Sequence, residues 1–373
     1  MSEPIYSPGL EGIIAGKTAV STIEGGLHYR GYSIEELAAH ASFEEVAHLL
    51  LWGELPTAAE LADFRKRLSA SAHVPTNIIA TLRSLPAEAS MMDVMRTGTS
   101  LLAHWDPDID DNSHAANVRK AERLLAQLPG VLAARSRLLA GKEPVAPDAQ
   151  RSLAGNFLWM LRRRAPTERA ERALDMSLIL YAEHEFNAST FAARVIVSTL
   201  SDLHSGVVGA IGALKGPLHG GANERVLEVL ESVGTSDKAE AWVRDALARK
   251  ERIMGFGHRV YKTGDPRAAF LKPLCAELAA ETGHDDMERM ADVIESIVRT
   301  EKGLPPNLDW PSARLYRYLD LPVELYTPLF VLARVSGWCA HVVEQLDDNR
   351  LIRPRSNYNG PGPRAWVPIE QRG

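Results

Sequence analysis

From Ser33 onward the chain carries helix-start signals at short intervals and rarely leaves the helical period. Ser33…Glu36, Ser42…Glu45 and Thr57…Glu60 each place a side-chain oxygen three residues before a glutamate. That spacing satisfies the orphan N–H groups of a first helical turn. Between these starts Val46, Leu49 and Leu50 recur at helical spacing. Residues 167–200 read as a long helical stretch broken near "HEFNAST" (184–190), where Asn187, Ser189 and Thr190 compete for backbone hydrogen bonds. Segments 224–250 and 266–302 read as charged amphipathic helices, and Val331, Val335, Trp338, Val342 and Leu346 trace one apolar stripe. Only residues 13–31, β-branched and turned at Gly25-Gly26, favour a small hairpin. The expected fold class is all-α with a small N-terminal β-hairpin.

A chain of 373 residues can bury a large core and still carry a smaller module. Glycine-rich turns at 216–223 and 255–264 suggest hinges, so we expect a small helical domain at 220–320 inserted into a large one, 1–219 and 321–373. In "SGVVGAIGALKG" Gly206, Gly209 and Gly212 recur every third residue, at a cost of about 1 kcal/mol each relative to alanine. Either an interface helix or a crowded core helix accounts for them. A net charge of −6 argues against nucleic acid or an anionic membrane as main partner, while leaving room for a local basic pocket. Cys275 and Cys339 sit in apolar helical patterns and read as reduced core thiols. The N-terminus lacks a basic and apolar leader, and no uncharged apolar run is long enough to span a bilayer, so the expected location is the cytoplasm. The Pro- and Gly-rich tail "RPRSNYNGPGPRAWVP" reads as loop.

Two histidines stand out against this helical background. "LKGPLHGGANERV" (214–226) seats His219 between Pro217 and Gly220-Gly221, and "IMGFGHRVYKTGDPR" (253–267) sets His258 directly after glycine. Glycines there free the backbone and let a ligand approach closely. Taken singly, the neighbouring candidates have ordinary readings. Asp309 in "PNLDWPSARLY" resembles a helix N-cap, and His184 a core histidine paired with Glu183 or Glu185. Arg267 could be a turn charge, Arg334 a side chain snorkelling along a core edge, and Arg353 and Arg355 solvated. Histidines at 184, 219 and 258 are too far apart in sequence for a local metal site, and no Walker loop, dinucleotide fingerprint or G-x-S-x-G elbow is present. What remains is acid–base chemistry: imidazoles, one carboxylate, and arginines able to hold small di- or tricarboxylates.

Read in order, "HEFNAST", "GALKGPLHGGANE", "IMGFGHRVYKTGDPR", "KGLPPNLDWPSA" and "ARVSGWCAHVVEQLDDNRLIRPRSNYNGP" resemble the citrate synthase family over essentially the whole chain. The resemblance implies a helical two-domain homodimer acting on oxaloacetate and an acyl-CoA, with no permanently bound cofactor and no metal. It implies that His219, His258 and Asp309 are catalytic: His219 stabilises the enol or enolate of acetyl-CoA, Asp309 removes the methyl proton, and His258 polarises the ketone of oxaloacetate. His184, Arg267 and Arg334 would bind oxaloacetate, with Arg353 supplied across the dimer interface. Gly255, Phe256, Gly257, Lys262 and Lys302 would contact coenzyme A. Trp310-Pro311 departs from the family's usual residues after this aspartate and bears on the acyl pocket. The family's longer hexameric, NADH-inhibited members carry an extra N-terminal segment, so a dimer without that regulation is expected. Rival readings are 2-methylcitrate synthase, using propionyl-CoA, and a silent paralogue acting as a scaffold.

Overall fold

A three-stranded antiparallel ribbon, rather than a two-stranded hairpin, precedes the helices: β1 (Ser21–Thr22), β2 (His28–Tyr29) and β3 (Tyr32–Ser33), in that order. Ser21 pairs with Tyr29, and Tyr29 with Tyr32, so the third strand falls just beyond the expected hairpin. Gly25 and Gly26 take positive φ between β1 and β2. The computed structural model describes residues 6–258, 260–261 and 264–372.

Sixteen α-helices follow among the described residues. The first ten are α1 (Ile34–His40), α2 (Phe43–Trp52), α3 (Ala58–Ser71), α4 (Thr76–Ser84), α5 (Met91–Ala103), α6 (His114–Leu139), α7 (Leu153–Arg162), α8 (Glu168–Tyr181), α9 (Ala188–Val197) and α10 (Leu203–Leu214). The rest are α11 (Ala222–Val233), α12 (Ala239–Ala248), α13 (Ala268–Thr282), α14 (Asp285–Lys302), α15 (Asp309–Tyr318) and α16 (Tyr326–Asp347). Ser42 and Thr57 form complete capping boxes with Glu45 and Glu60, whereas Ser33 accepts from the Glu36 amide without the reciprocal bond.

α16 is buried on nearly every side, and α2, α5, α6, α8, α9, α10 and α11 pack around it. A helix enclosed in this way needs apolar residues beyond a single stripe. Its sequence supplies them, so the five-residue stripe understates how far its burial extends. α11 to α15 pack chiefly on one another and meet the rest through α11 on α16 and α13 and α15 on α8. In α10, a side chain at Gly206 would strike Val197 and one at Gly209 would strike Ile196, both on α9, while Gly212 faces open space. Two of the three glycines therefore serve close packing within the chain. Cys275 and Cys339 are buried free thiols. No helix among the described residues is long and apolar enough to cross a membrane.

Candidate active site

The turn between α10 and α11 explains the glycines around His219. A β-carbon on Gly220 would collide with the Leu214 carbonyl, and Gly221 sits at φ 76° as the N-cap of α11. His219 and Gly220 both donate their amides to the Gly216 carbonyl, which folds the imidazole back toward α9. There His219 Nε2 lies 2.8 Å from the Ser189 hydroxyl. Ser189 accepts the Trp338 indole N–H at 3.1 Å and lies 2.7 Å from Asn187 Oδ1. Its single proton thus serves one of two acceptors, Asn187 or His219. Burial pushes His219 down to about 4, with the Arg334 charge adding to the effect.

The segments carrying His258 and Asp309 are tied together. Gly255 and Gly257 take positive φ, and a β-carbon on Gly255 would meet Trp310 and Val226. The Gly257 amide donates to Pro305 O, while Asn307 donates its amide to Gly255 O and its side-chain Nδ2 to Gly257 O, each at 2.9 Å. Asp265 extends the same clamp: it holds Arg267 by two bonds of 2.9 and 2.8 Å and receives the Leu308 amide at 3.1 Å. Arg267 is therefore a buried, paired guanidinium rather than a solvated turn charge. The Val260 and Tyr261 amides donate to His258 Nδ1, which fixes the neutral ring as the Nε2–H tautomer.

Asp309 does not act as an N-cap. It is the first helical residue of α15, the preceding Leu308 makes no side-chain cap, and Asn307 Oδ1 receives the Asp309 amide at 3.0 Å. Its own carboxylate instead takes a 2.7 Å hydrogen bond from Tyr181 Oη. Burial pushes the Asp309 carboxyl up, opposed by the Tyr181 bond and the Arg267 charge. Asp309 is half-buried. Trp310 is wholly buried against Phe256, ring centroids 4.6 Å apart, beside Arg314. It supports the Gly255–Gly257 turn from below instead of standing in an open pocket.

The C-terminal end of α8 and the facing turns of α16 complete the cluster. Arg334 is 2 % exposed; its Nε donates to Tyr181 O at 2.6 Å and its guanidinium lies 4.4 Å from the Phe330 ring centre, so it does not snorkel. Burial lowers Arg334 to about 10. Glu183 pairs with His341 at 3.0 Å, not with His184, and Gly337 makes room for its carboxylate. The ribbon joins here, since the Ser21 hydroxyl donates to Glu183 Oε1 and the Tyr29 hydroxyl to Glu183 O. His184 Nε2 is 3.0 Å from Tyr261 Oη, and its ring is 5.4 Å from that of His258. Burial, then the charges of Arg267 and Arg334, hold His184 well below the usual histidine range.

His184, His219, His258, Arg267, Arg334 and Asp309 thus share one neighbourhood, assembled from α8, α15, α16 and two glycine turns. Tyr181, Ser189, Glu183, Tyr261, Asp265 and His341 belong to it although nothing in the sequence singles them out as functional. Arg353 is exposed in the extended tail, Lys302 is exposed in the last turn of α14, and Lys262 lies outside the described residues. A separate cavity of about 620 Å³ opens elsewhere, between Arg137, Lys142, Trp159 and Arg163. It holds none of these groups. Among the described residues no three His, Cys, Asp or Glu side chains converge as a metal-ligand set.

Comparison with known proteins identifies the family. Residues 9–355 match the family model described as citrate synthase, C-terminal domain. The chain is 48% identical to "Citrate synthase 2" of Bacillus subtilis, covering 98% of each. It is 47% identical to "2-methylcitrate synthase 2" of Corynebacterium glutamicum, covering 98% of this chain and 97% of the relative. Among solved structures, citrate synthase from Thermoplasma acidophilum in ternary complex with carboxymethyl coenzyme A and oxaloacetate superposes with a TM-score of 0.91 at 34% identity, covering 99% of this chain and 100% of that one. The chain belongs to the citrate synthase family, and it is an acyltransferase.

Proposed function

We propose that this enzyme condenses acetyl-CoA with oxaloacetate and hydrolyses the resulting citryl-CoA to citrate and CoA. The observation that carries the reading is that three imidazoles, two buried arginines and the half-buried Asp309 carboxylate lie in one neighbourhood. Asp309 takes a proton from the acyl methyl group, and the electron pair left behind moves onto the thioester oxygen. That proton is only weakly acidic, so the oxyanion needs a preorganised donor, a contribution of about 2.7–4 kcal/mol. The Ser189 hydroxyl donates to Asn187 Oδ1 and turns to His219 Nε2 when the thioester binds, which leaves the neutral His219 ring with its own proton on Nδ1 to donate. The enolate carbon then bonds to the ketone carbon of oxaloacetate, while His258 Nε2–H polarises the ketone and protonates the new alkoxide. Water cleaves the thioester.

His184, Arg267 and Arg334 hold oxaloacetate by charge-assisted hydrogen bonds, with Arg353 contributed by a second copy in a homodimer. The exposure of Arg353 in its own chain supports that assignment. Gly255, Phe256, Gly257, Lys302 and, from the resemblance alone, Lys262 are the proposed contacts of coenzyme A. Residues 220–320 act as the small domain that closes over oxaloacetate and expels water. The test is thiol release from acetyl-CoA and propionyl-CoA with oxaloacetate, on wild-type enzyme and Asp309→Ala. Faster turnover on acetyl-CoA, with Asp309→Ala binding oxaloacetate but losing turnover, is the expected result. Preference for propionyl-CoA reassigns the enzyme as a 2-methylcitrate synthase, a name borne by a relative at 47% identity against 48% for the first. Unchanged turnover in Asp309→Ala overturns the mechanism.

A further inference from the structure

Tyr181 joins three groups of the site through different parts of itself. Its hydroxyl donates to Asp309 Oδ1 at 2.7 Å and lies 2.8 Å from Ser312 Oγ. Having spent its one proton on the carboxylate, the phenol can only accept from Ser312, whose hydroxyl also lies 3.3 Å from the Asp309 carbonyl, so Ser312 backs both Tyr181 and the Asp309 backbone. Its ring is 2 % exposed and packs on Phe330 with centroids 4.7 Å apart, which leaves the phenol little freedom to turn away. Its carbonyl receives Arg334 Nε at 2.6 Å, fixing the backbone beneath the ring. Asp309 Oδ2 has no protein hydrogen-bond partner among the described residues.

We propose that Tyr181 is a positioning residue for the acyl-transfer reaction: its phenol, backed by Ser312, clamps Asp309 Oδ1 so that Oδ2 alone is presented to the acyl methyl group. This rests on the reading of Asp309 as the base. The clamp has an electrostatic consequence as well as a geometric one. A hydrogen bond donated to a carboxylate favours its ionised form, and at this site it works against burial, which favours the protonated form. Asp309 must be ionised to accept the methyl proton. Removing the phenol oxygen raises the pH at which the carboxylate ionises and moves the acid limb of kcat upward.

The experiment compares pH profiles of kcat and KM for wild type, Tyr181→Phe, Ser312→Ala and Asp309→Asn, by thiol release with oxaloacetate and the preferred acyl-CoA. Tyr181→Phe keeps the buried ring and deletes only the hydroxyl. Its kcat at neutral pH should fall about 10-fold, as expected for a lost charge-assisted hydrogen bond. Its acid limb should move up by about one pH unit, and KM for oxaloacetate should stay within about 2-fold. Ser312→Ala should move the limb in the same direction by less. A lower kcat with the limb in place overturns the proposal, because simple displacement of the ring produces that pattern. Should Tyr181→Phe fail to fold, an unmoved limb in Ser312→Ala overturns it. Wild-type protein that releases no thiol, or Asp309→Asn with undiminished turnover, overturns the assignment of the base and this role with it. Active wild type with an unmoved limb in Tyr181→Phe removes the role of Tyr181 alone.

Discussion

Arg334 concentrates the chemistry of a single residue at this site. Its guanidinium is buried, donates through Nε to the Tyr181 carbonyl, and lies over the Phe330 ring. A lysine offers one compact charge in place of a planar fork and cannot satisfy that carbonyl, the ring and a ligand carboxylate at once. Arg334→Lys should raise KM for oxaloacetate about 10-fold or more, the loss expected for one hydrogen bond to a charged group. kcat at saturation should change much less. Steady-state kinetics with oxaloacetate as the varied substrate checks it, and an unchanged KM would remove Arg334 from the oxaloacetate subsite. Taken singly, little of this was legible in the sequence. Arg334 reads as a snorkelling side chain because its burial comes from neighbours such as the end of α8, whose Tyr181 carbonyl accepts from its Nε, and periodicity within one helix does not report them. Asp309 reads as a cap because a DWPS run has that local grammar; only the approach of α8 gives its carboxylate another partner. Tyr181 passes as the last apolar position of α8, and Asp265 as a turn former before Pro266. Their roles depend on long-range contacts; His219 and His258 stand out by their glycine-flanked turns, whereas Asp309 does so only in the ordered set of motifs.

The elements succeed where local and tertiary demands coincide. The capped starts of α2 and α3, and the break between α8 and α9 at Asn187, are local events, and they lie where the sequence puts them. The close approach of α16 to the end of α8 is a tertiary one, and it depends on Gly337. A β-carbon there would run into the Glu183 carboxylate and the Ala182 carbonyl. That carboxylate is tied to His341 and Ser21 and has no exposed space into which to retreat. Gly337→Ala should therefore destabilise the protein by about 1–3 kcal/mol, even though alanine is the better helix former. Thermal or urea unfolding measures it. Because Glu183 adjoins His184, the surviving folded enzyme should also bind oxaloacetate more weakly. A variant as stable as wild type would mean that α16 can slide away from α8, and that the seat of His184 is looser than this packing implies.

At the scale of the whole molecule, the tail is the segment least accounted for by the packing of its own chain. The tail past α16 runs without regular structure to Pro368 and is exposed along nearly its whole length, Arg353 included. Such a segment adds little to the core of its own chain. In the proposed homodimer it delivers Arg353 to the oxaloacetate subsite of a second copy, and two-fold pairing would make the exchange reciprocal. Two variants separate this arrangement from a tail that serves its own chain. Arg353→Ala and Asp309→Ala should each be nearly inactive alone. If they are denatured together in equal amounts and refolded, half the dimers are mixed. In each mixed dimer one site carries both lesions, while the other combines an intact Asp309 with an intact Arg353 from its neighbour. Activity should return to about a quarter of the wild-type value. If Arg353 served its own chain, every site would keep one lesion and mixing would restore nothing. Recovery must also vanish when the two variants are assayed together without subunit exchange, because no mixed dimer then forms.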